Sequence, residues 1–273
     1  MSLISENIVK LKQAFVKSYS GKSHIQEILP KQKTGFLPID ENHLALLHQF
    51  MENNPIYHDS IDAEICGVQC RIFEGDLNQF WIDSIKHDTS YAPFYPTWIL
   101  SAYFLALESR NVGYSELIDV GSGDGRIAFC GKILGLVSNS IEIDEQLSNL
   151  QNEITKNISV KFIIINDEAT LVDYNKLNLK NPIFFIGGLP ENGEMLADSI
   201  IKNILNSSVL EKTSCFALTG SLAKRKFDKK TLDYGWDVTI RKFNLTTTRV
   251  INLPTYWTMD QPFVTPYIFT KQS

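Results

Sequence analysis

Positive charge is in short supply in this chain: 26 lysines and arginines stand against 31 aspartates and glutamates, for a net charge of −5. Sequence-independent attachment to nucleic acid needs a basic surface that displaces counterions, so the balance argues against it. The densest basic cluster, Lys224, Arg225, Lys226, Lys229 and Lys230, reads as a solvated face. Cysteine is scarce as well. Cys66, Cys70, Cys130 and Cys215 form no C-x-x-C pair, and none of the five histidines supplies a second ligand pair nearby, which argues against a metal site. The four read as reduced core thiols, as suits a cytoplasmic protein. Long apolar runs are missing too. The longest, around Trp98 to Leu107, is too short to cross a bilayer, and charges scattered from Met1 to Lys17 leave no apolar signal-peptide core. There are no internal repeats. The expectation is a soluble, cytoplasmic protein with no membrane partner.

What is present is an ordinary globular composition, 44% hydrophobic and 21% charged, able to bury a full core. A doubly wound unit of ~180 residues would leave roughly ninety over, which predicts two parts. Ile4, Ile8, Leu11 and Phe15 recur at helical spacing. After a loop from Lys31 to Pro38, Asp40 is placed to cap a helix carrying Leu44, Leu47 and Phe50, ended by Asn53, Asn54 and Pro55. Alternation from Ile61 to Phe73 around Gly67 predicts a hairpin, and Asp76 a further short helix carrying Phe80, Trp81 and Ile85. Residues 1–90 thus read as a small α+β appendage.

From residue 91 the pattern becomes regular. An apolar helix over Thr97–Ser109 leads into strands at Leu117–Val120, Ser140–Ile143, Val160–Ile165, Ile183–Ile186 and Cys215–Thr219. Helices are expected between most of them, over Gly125–Leu134, Asp144–Lys156 and Asn192–Leu205. Apolar strands alternating with helices imply an α/β fold with a mostly parallel sheet covered on both faces. Val238–Phe243, Arg249–Leu253 and Pro266–Thr270 read as strands without intervening helices, adding antiparallel pairing at one edge.

The chemistry lies in Leu117-Ile118-Asp119-Val120-Gly121-Ser122-Gly123-Asp124-Gly125-Arg126-Ile127, an apolar strand that ends in a glycine-rich turn and opens a helix. Glycines let backbone amides approach a ligand and accept unusual φ values. The dinucleotide fingerprint is G-x-G-x-x-G. Here the third glycine comes one residue early and position 126 is arginine, giving G-x-G-x-G. Asp119 puts an anion where a diphosphate would be repelled and a sulfonium or ammonium group attracted. S-adenosylmethionine therefore fits better than a nicotinamide dinucleotide. Glu142 lies 21 residues beyond the first glycine (142 − 121) at the end of the next strand, where a carboxylate can accept from both ribose hydroxyls. Asp167, after the third strand, is placed to accept from the adenine amino group or simply to cap a loop.

At these residues the chain resembles the class I S-adenosylmethionine-dependent methyltransferases over roughly residues 91–273, which implies a Rossmann-like seven-stranded sheet. Gly121 to Ile127, preceded by Tyr95-Pro96-Thr97, is similar more weakly to archaeal and mitochondrial protein-lysine methyltransferases. The resemblance implies that Asp119, Gly121, Gly123, Glu142 and Asp167 hold the donor, with Tyr95 and Thr97 near its methionine end. Ser122 and Gly125 in the same turn, Ile143 beside Glu142, and Gly187 after the fourth strand complete the expected site. The first ninety residues have no counterpart in the family. After the fourth strand stands Gly187-Gly188-Leu189-Pro190-Glu191-Asn192, not the Asp/Asn-Pro-Pro-Tyr element of enzymes that methylate adenine or glutamine amides.

Methyl transfer from a sulfonium is an in-line displacement that needs alignment and dryness but no metal. A lysine acceptor must first lose a proton, for which Tyr95 and Glu191 are the candidates, with Glu194 nearby. Glu191 and Glu194 also suit the first turn of a helix, as Trp98 suits a core. Tyr256, Trp257, Phe263 and Tyr267 could wall an acceptor pocket or pack within a sheet. The acceptor stays open between a protein and a small molecule, with protein lysine preferred and nucleic acid disfavoured. A non-catalytic donor-binding or assembly module is the alternative that the Gly187–Pro190 segment keeps open.

Overall fold

The computed structural model describes residues 3–77, 94–187, 193–218, 235–254 and 264–272, with side chains from residue 196 in the helix that begins at 193. The chain opens with α1 (Leu3–Ser18), which buries Ile8, Leu11 and Phe15 at the expected spacing. β1 (Ile25–Pro30) follows, and its six residues are all buried. α2 (Glu41–Glu52) begins at Asp40, whose side chain accepts from the amides of Asn42 and His43. This is the cap read from the sequence. β2 (Tyr57–Ile65) and β3 (Val68–Gly75) form the hairpin, and β1 pairs with the far side of β3, all antiparallel. Cys66 and Gly67 both take positive φ, 54° and 73°, as a two-residue hairpin turn with right-handed strand twist demands.

α3 (Ile99–Asn111) is apolar on nearly every side and is buried accordingly. β4 (Glu116–Val120), α4 (Arg126–Ile133), β5 (Val137–Glu142), α5 (Glu145–Asn157) and β6 (Ile163–Asn166) then alternate. β7 (Pro182–Ile186), α6 (Gly193–Leu205), α7 (Leu210–Thr213) and β8 (Cys215–Leu218) continue the series. α8 (Trp236–Lys242), β9 (Leu245–Pro254) and β10 (Val264–Gln272) end the described chain.

The large sheet has seven strands in the order β6-β5-β4-β7-β8-β10-β9, and β10 alone runs against its neighbours. The mostly parallel seven-stranded sheet expected from the resemblance is therefore present. Alternate residues of β7 face opposite cores: Ile183 and Phe185 pack toward α3–α5, Phe184 and Ile186 toward α6 and α8. The first core is continuous with the N-terminal layer. Ile25, Leu29, Phe50 and Phe73 belong to the same apolar cluster as Leu117, Phe129 and Phe269.

Three details differ from the sequence reading. The strand expected over Val238–Phe243 is instead the greater part of the helix Trp236–Lys242. The apparent alternation of Val238 and Ile240 covers too few residues to impose a strand, and an Asp237–Arg241 pair at 2.8 Å spans one helical turn. Cys66 is exposed on the hairpin turn, whereas Cys70, Cys130 and Cys215 are buried thiols as expected. β1 went unread because Gln26 and Glu27 interrupt its apolar pattern, and both turn out to be buried. Among the described residues no helix is long and apolar enough to cross a membrane. The proposed short helix after Asp76 and the Lys224–Lys230 cluster lie outside the described residues.

Candidate active site

The register of the parallel strands brings the expected donor residues to one edge. Val120 at the end of β4 pairs with Ile186 at the end of β7, which sets Gly121 beside Gly187. Glu142 at the end of β5 pairs with Asn166, so Ile143 and Asp167 follow at the same level. β4 has β5 on one side and β7 on the other, which makes this edge the point where the sheet's winding reverses. Open α/β sheets bind ligands in the crevice at such a point.

The turn after β4 takes positive φ at Gly121 (71°), Gly123 (58°) and Gly125 (77°), values that explain why glycine stands at each. Space is as tight as the backbone. A Cβ on Gly123 would lie 2.2 Å from the ring of Phe94, and one on Gly125 would lie 2.8 Å from Oε1 of Gln151. Gln151, on the inner face of α5, donates from Nε2 to Ser122 Oγ (2.9 Å) and to the carbonyl of Gly123 (2.7 Å). Phe94 and Gln151 were both missed in the sequence. The only hint of Gln151 is its place on the apolar stripe of Leu147, Leu150 and Ile154.

The amides of the three glycines and of Ser122 are spoken for. Those of Gly121 and Ser122 donate to the carbonyl of Ile141, that of Gly125 to Ser122, and that of Gly123 to Glu142 Oε2 at 2.7 Å. At the head of α4 the amide of Arg126 donates to Asp124 Oδ1, and the amide of Ala128 bonds to Asp119. A diphosphate site would need these N–H groups free and aimed at the ligand. Here carboxylates and carbonyls have taken those of Gly121, Ser122, Gly123, Gly125 and Arg126, which argues against a diphosphate at this turn.

Asp119 is 4% exposed, and its Oδ2 has no hydrogen-bond partner. Burial, then the nearby charges of Asp124 and Glu142, push its carboxyl up to about 8. Glu142 is buried as well and raised to about 7, chiefly by desolvation, although the amides of Asp144 and Gly123 hold its charged form. An ionised carboxylate has about four lone-pair sites, so two amide bonds leave Glu142 capacity for a ribose. Asp144 caps α5 through the amides of Gln146 and Leu147, as read. Asp167 is exposed and accepts from the amide of Glu168, so its loop-capping role is realised while the carboxylate stays open to solvent.

The segment before α3 lies along the same turn. Phe94 rests on Gly123, and the carbonyl of Thr97 accepts from Arg126 Nη1 at 2.8 Å. Tyr95 and Thr97 are half-buried there, while Trp98 is buried in the core. Tyr267 is a core residue too, packed within the sheet. Glu191, Tyr256, Trp257 and Phe263 lie outside the described residues, as does the side chain of Glu194. No cluster of metal-ligating side chains occurs among the described residues.

No family model and no curated relative matches the chain. Its fold is similar to several solved structures. Magnesium protoporphyrin IX methyltransferase from Synechocystis PCC 6803 with bound S-adenosylmethionine superposes at a TM-score of 0.45 and 10% identity, covering 64% of this chain and 78% of that one. A protein of Pyrococcus horikoshii OT3 gives 0.48 and 11%, over 64% and 89%. The ribosomal protein L11 methylase of Lactobacillus delbrueckii subsp. bulgaricus gives 0.43 and 12%, over 63% and 77%. At such identities none of these proteins lends this chain a substrate.

Proposed function

We propose that this chain is an S-adenosylmethionine-dependent methyltransferase. The observation that carries the reading is Asp119. An unpartnered carboxylate oxygen, buried beside a turn whose glycine amides are already paired, is costly unless a cation meets it. Its neighbours add anionic character, with Asp124 and Glu142 close by. A ligand bearing an ammonium and a sulfonium fits that environment, and one bearing a diphosphate does not.

When bound, the donor supplies a methyl group activated by its sulfonium for in-line displacement. The chain's residues do the rest. Gly121, Ser122, Gly123 and Gly125 shape the crevice floor, and Asp119 offsets positive charge. Glu142 accepts from ribose hydroxyls with Ile143 beside it, and Asp167 faces the adenine end. Gly187 forms the wall opposite Gly121, while Tyr95 and Thr97 border the methionine end and help exclude water. Protein lysine is the acceptor class we favour, on the similarity of Tyr95-Pro96-Thr97 and the glycine turn to lysine methyltransferases. Tyr95 or Glu191 would then take the proton that a lysine must lose.

Incubation with radiolabelled S-adenosylmethionine and fractionated cell extract tests the reading. Label in protein, lost when Asp119 is replaced, is the expected result. Label in nucleic acid or small molecules would reassign the acceptor. Tight donor binding with no transfer to any fraction would instead favour a binding module, and absence of donor binding would end the proposal.

A further inference from the structure

Arg126 spends every guanidinium N–H on residues distant in sequence or on its own turn, and two of the three distant partners, Glu27 and Tyr57, come from the N-terminal layer. Nε and Nη2 reach Asp124 (2.9 and 2.5 Å), Nη1 reaches Glu27 (2.5 Å) and the carbonyl of Thr97, and Nη2 also donates to the hydroxyl of Tyr57 (3.0 Å). Glu27, in the middle of β1, is fully buried and uses its second oxygen to accept from the amide of Ile99 at 2.9 Å. It thereby caps α3, whose own N-cap residue Trp98 makes no side-chain bond. From the loop after α2, Asn54 Nδ2 donates to Asp124 Oδ2 at 2.9 Å. Asp124 and Arg126 flank Gly125, so three residues of the first layer grip both sides of the turn's last left-handed position.

Stability alone is a poor reason for this arrangement. Taking two carboxylates and a guanidinium out of water costs about as much as their attraction returns, and apolar side chains of similar volume often serve as well or better. An ionic network does fix one geometry, because each partner is satisfied only in that arrangement. The apolar contacts between the layers already supply adhesion, since both share one core.

We propose that Glu27, Asn54 and Tyr57 are positioning residues for the donor-binding turn, acting on it through Asp124 and Arg126. The purpose rests on the methyltransferase reading, whereas the hold on the turn does not. The N-terminal layer is on this view a built-in brace for the donor site, independent of whatever acceptor the enzyme takes.

The test uses the full chain with Glu27→Gln and Tyr57→Phe, the second of which keeps its ring packed on Phe73 and loses only a hydroxyl. Two quantities are read well below the melting temperature: the dissociation constant of S-adenosylhomocysteine, and hydrogen exchange of the amides of residues 121–128. Binding weaker on the order of tenfold is expected, with faster exchange at Gly123, Gly125 and Arg126 and none at β4 or β7. A contact that merely stabilises lowers the melting temperature and moves neither quantity, and that result would overturn the proposal. If the wild-type chain binds no S-adenosylhomocysteine, the methyltransferase reading falls. Loop exchange then decides the brace by itself: accelerated in the variants upholds it, unchanged refutes it.

Discussion

Replacing Asp119 by asparagine should make the folded protein more stable and the donor site worse. Asparagine keeps the shape and an oxygen to accept from the Ala128 amide but cannot ionise. Its NH2 inherits the lack of a partner at Oδ2, so that cost is common to both proteins. The difference lies in protonation. Asp119 stays protonated in the folded chain up to about 8 and ionises in the unfolded chain above its ordinary 3.8. Between those limits unfolding releases a proton, and wild-type stability falls as pH rises. At pH 7 the penalty spans 7 − 3.8 units at about 1.4 kcal/mol each, a ceiling of about 4 kcal/mol. The variant's advantage should therefore widen by about 1.4 kcal/mol per pH unit between roughly pH 5 and 7, and flatten above about 8. Glu142, itself raised to about 7, titrates in both proteins and cancels to first order. Urea unfolding of both proteins across that range, without donor, measures the gap. A gap that does not change with pH would refute the buried-carboxylate argument, as would a variant less stable than wild type at pH 7. Calorimetry on the same pair should show the variant losing about 1–3 kcal/mol of donor affinity, through loss of a charge-assisted contact.

Glu142→Ala should weaken donor binding by about 1–3 kcal/mol, since it removes charge-assisted bonds to ribose; unchanged affinity by calorimetry would remove Glu142 from the site. Gly123→Ala places a Cβ at φ 58° and 2.2 Å from the Phe94 ring, so it should destabilise the chain by about 1–2 kcal/mol from the backbone alone and more from the clash. Phe94→Ala in the same chain should recover the clash component, and a thermal double-mutant cycle that shows no coupling would contradict the packing. Arg126→Met leaves Glu27 and Asp124 buried without the guanidinium they both bond and should cost about 3–5 kcal/mol in chemical unfolding, with most of it returned if Glu27 and Asp124 become Gln and Asn.

Much of the molecule is legible in its sequence. Asp40 and Asp144 cap the helices they were expected to cap, because a short side-chain acceptor before an apolar stripe acts within three residues. The parallel strands were readable because residues buried on both faces leave continuous apolar runs. Asp119, the three glycines and Glu142 were readable because the turn is local and its spacing is fixed by one strand and one helix. The segment Val238–Phe243 reads as a strand and folds as a helix since so short an alternation does not separate the two until packing decides.

Glu27, Asn54, Tyr57, Phe94 and Gln151 were beyond that reach. Each meets the glycine turn only because folding carries it across tens of residues, up to 99 between Glu27 and Arg126. A buried glutamate inside an apolar strand looks, in sequence, like an interruption of the strand, and only its cation, supplied by another part of the fold, explains why it can be there. Local spacing settled which residues form the turn. The tertiary structure alone decided that the turn's glycine amides are consumed internally, that Asp119 keeps an oxygen without a partner, and that the first layer grips Arg126. Those facts depend on distances between segments that periodicity along the chain does not encode.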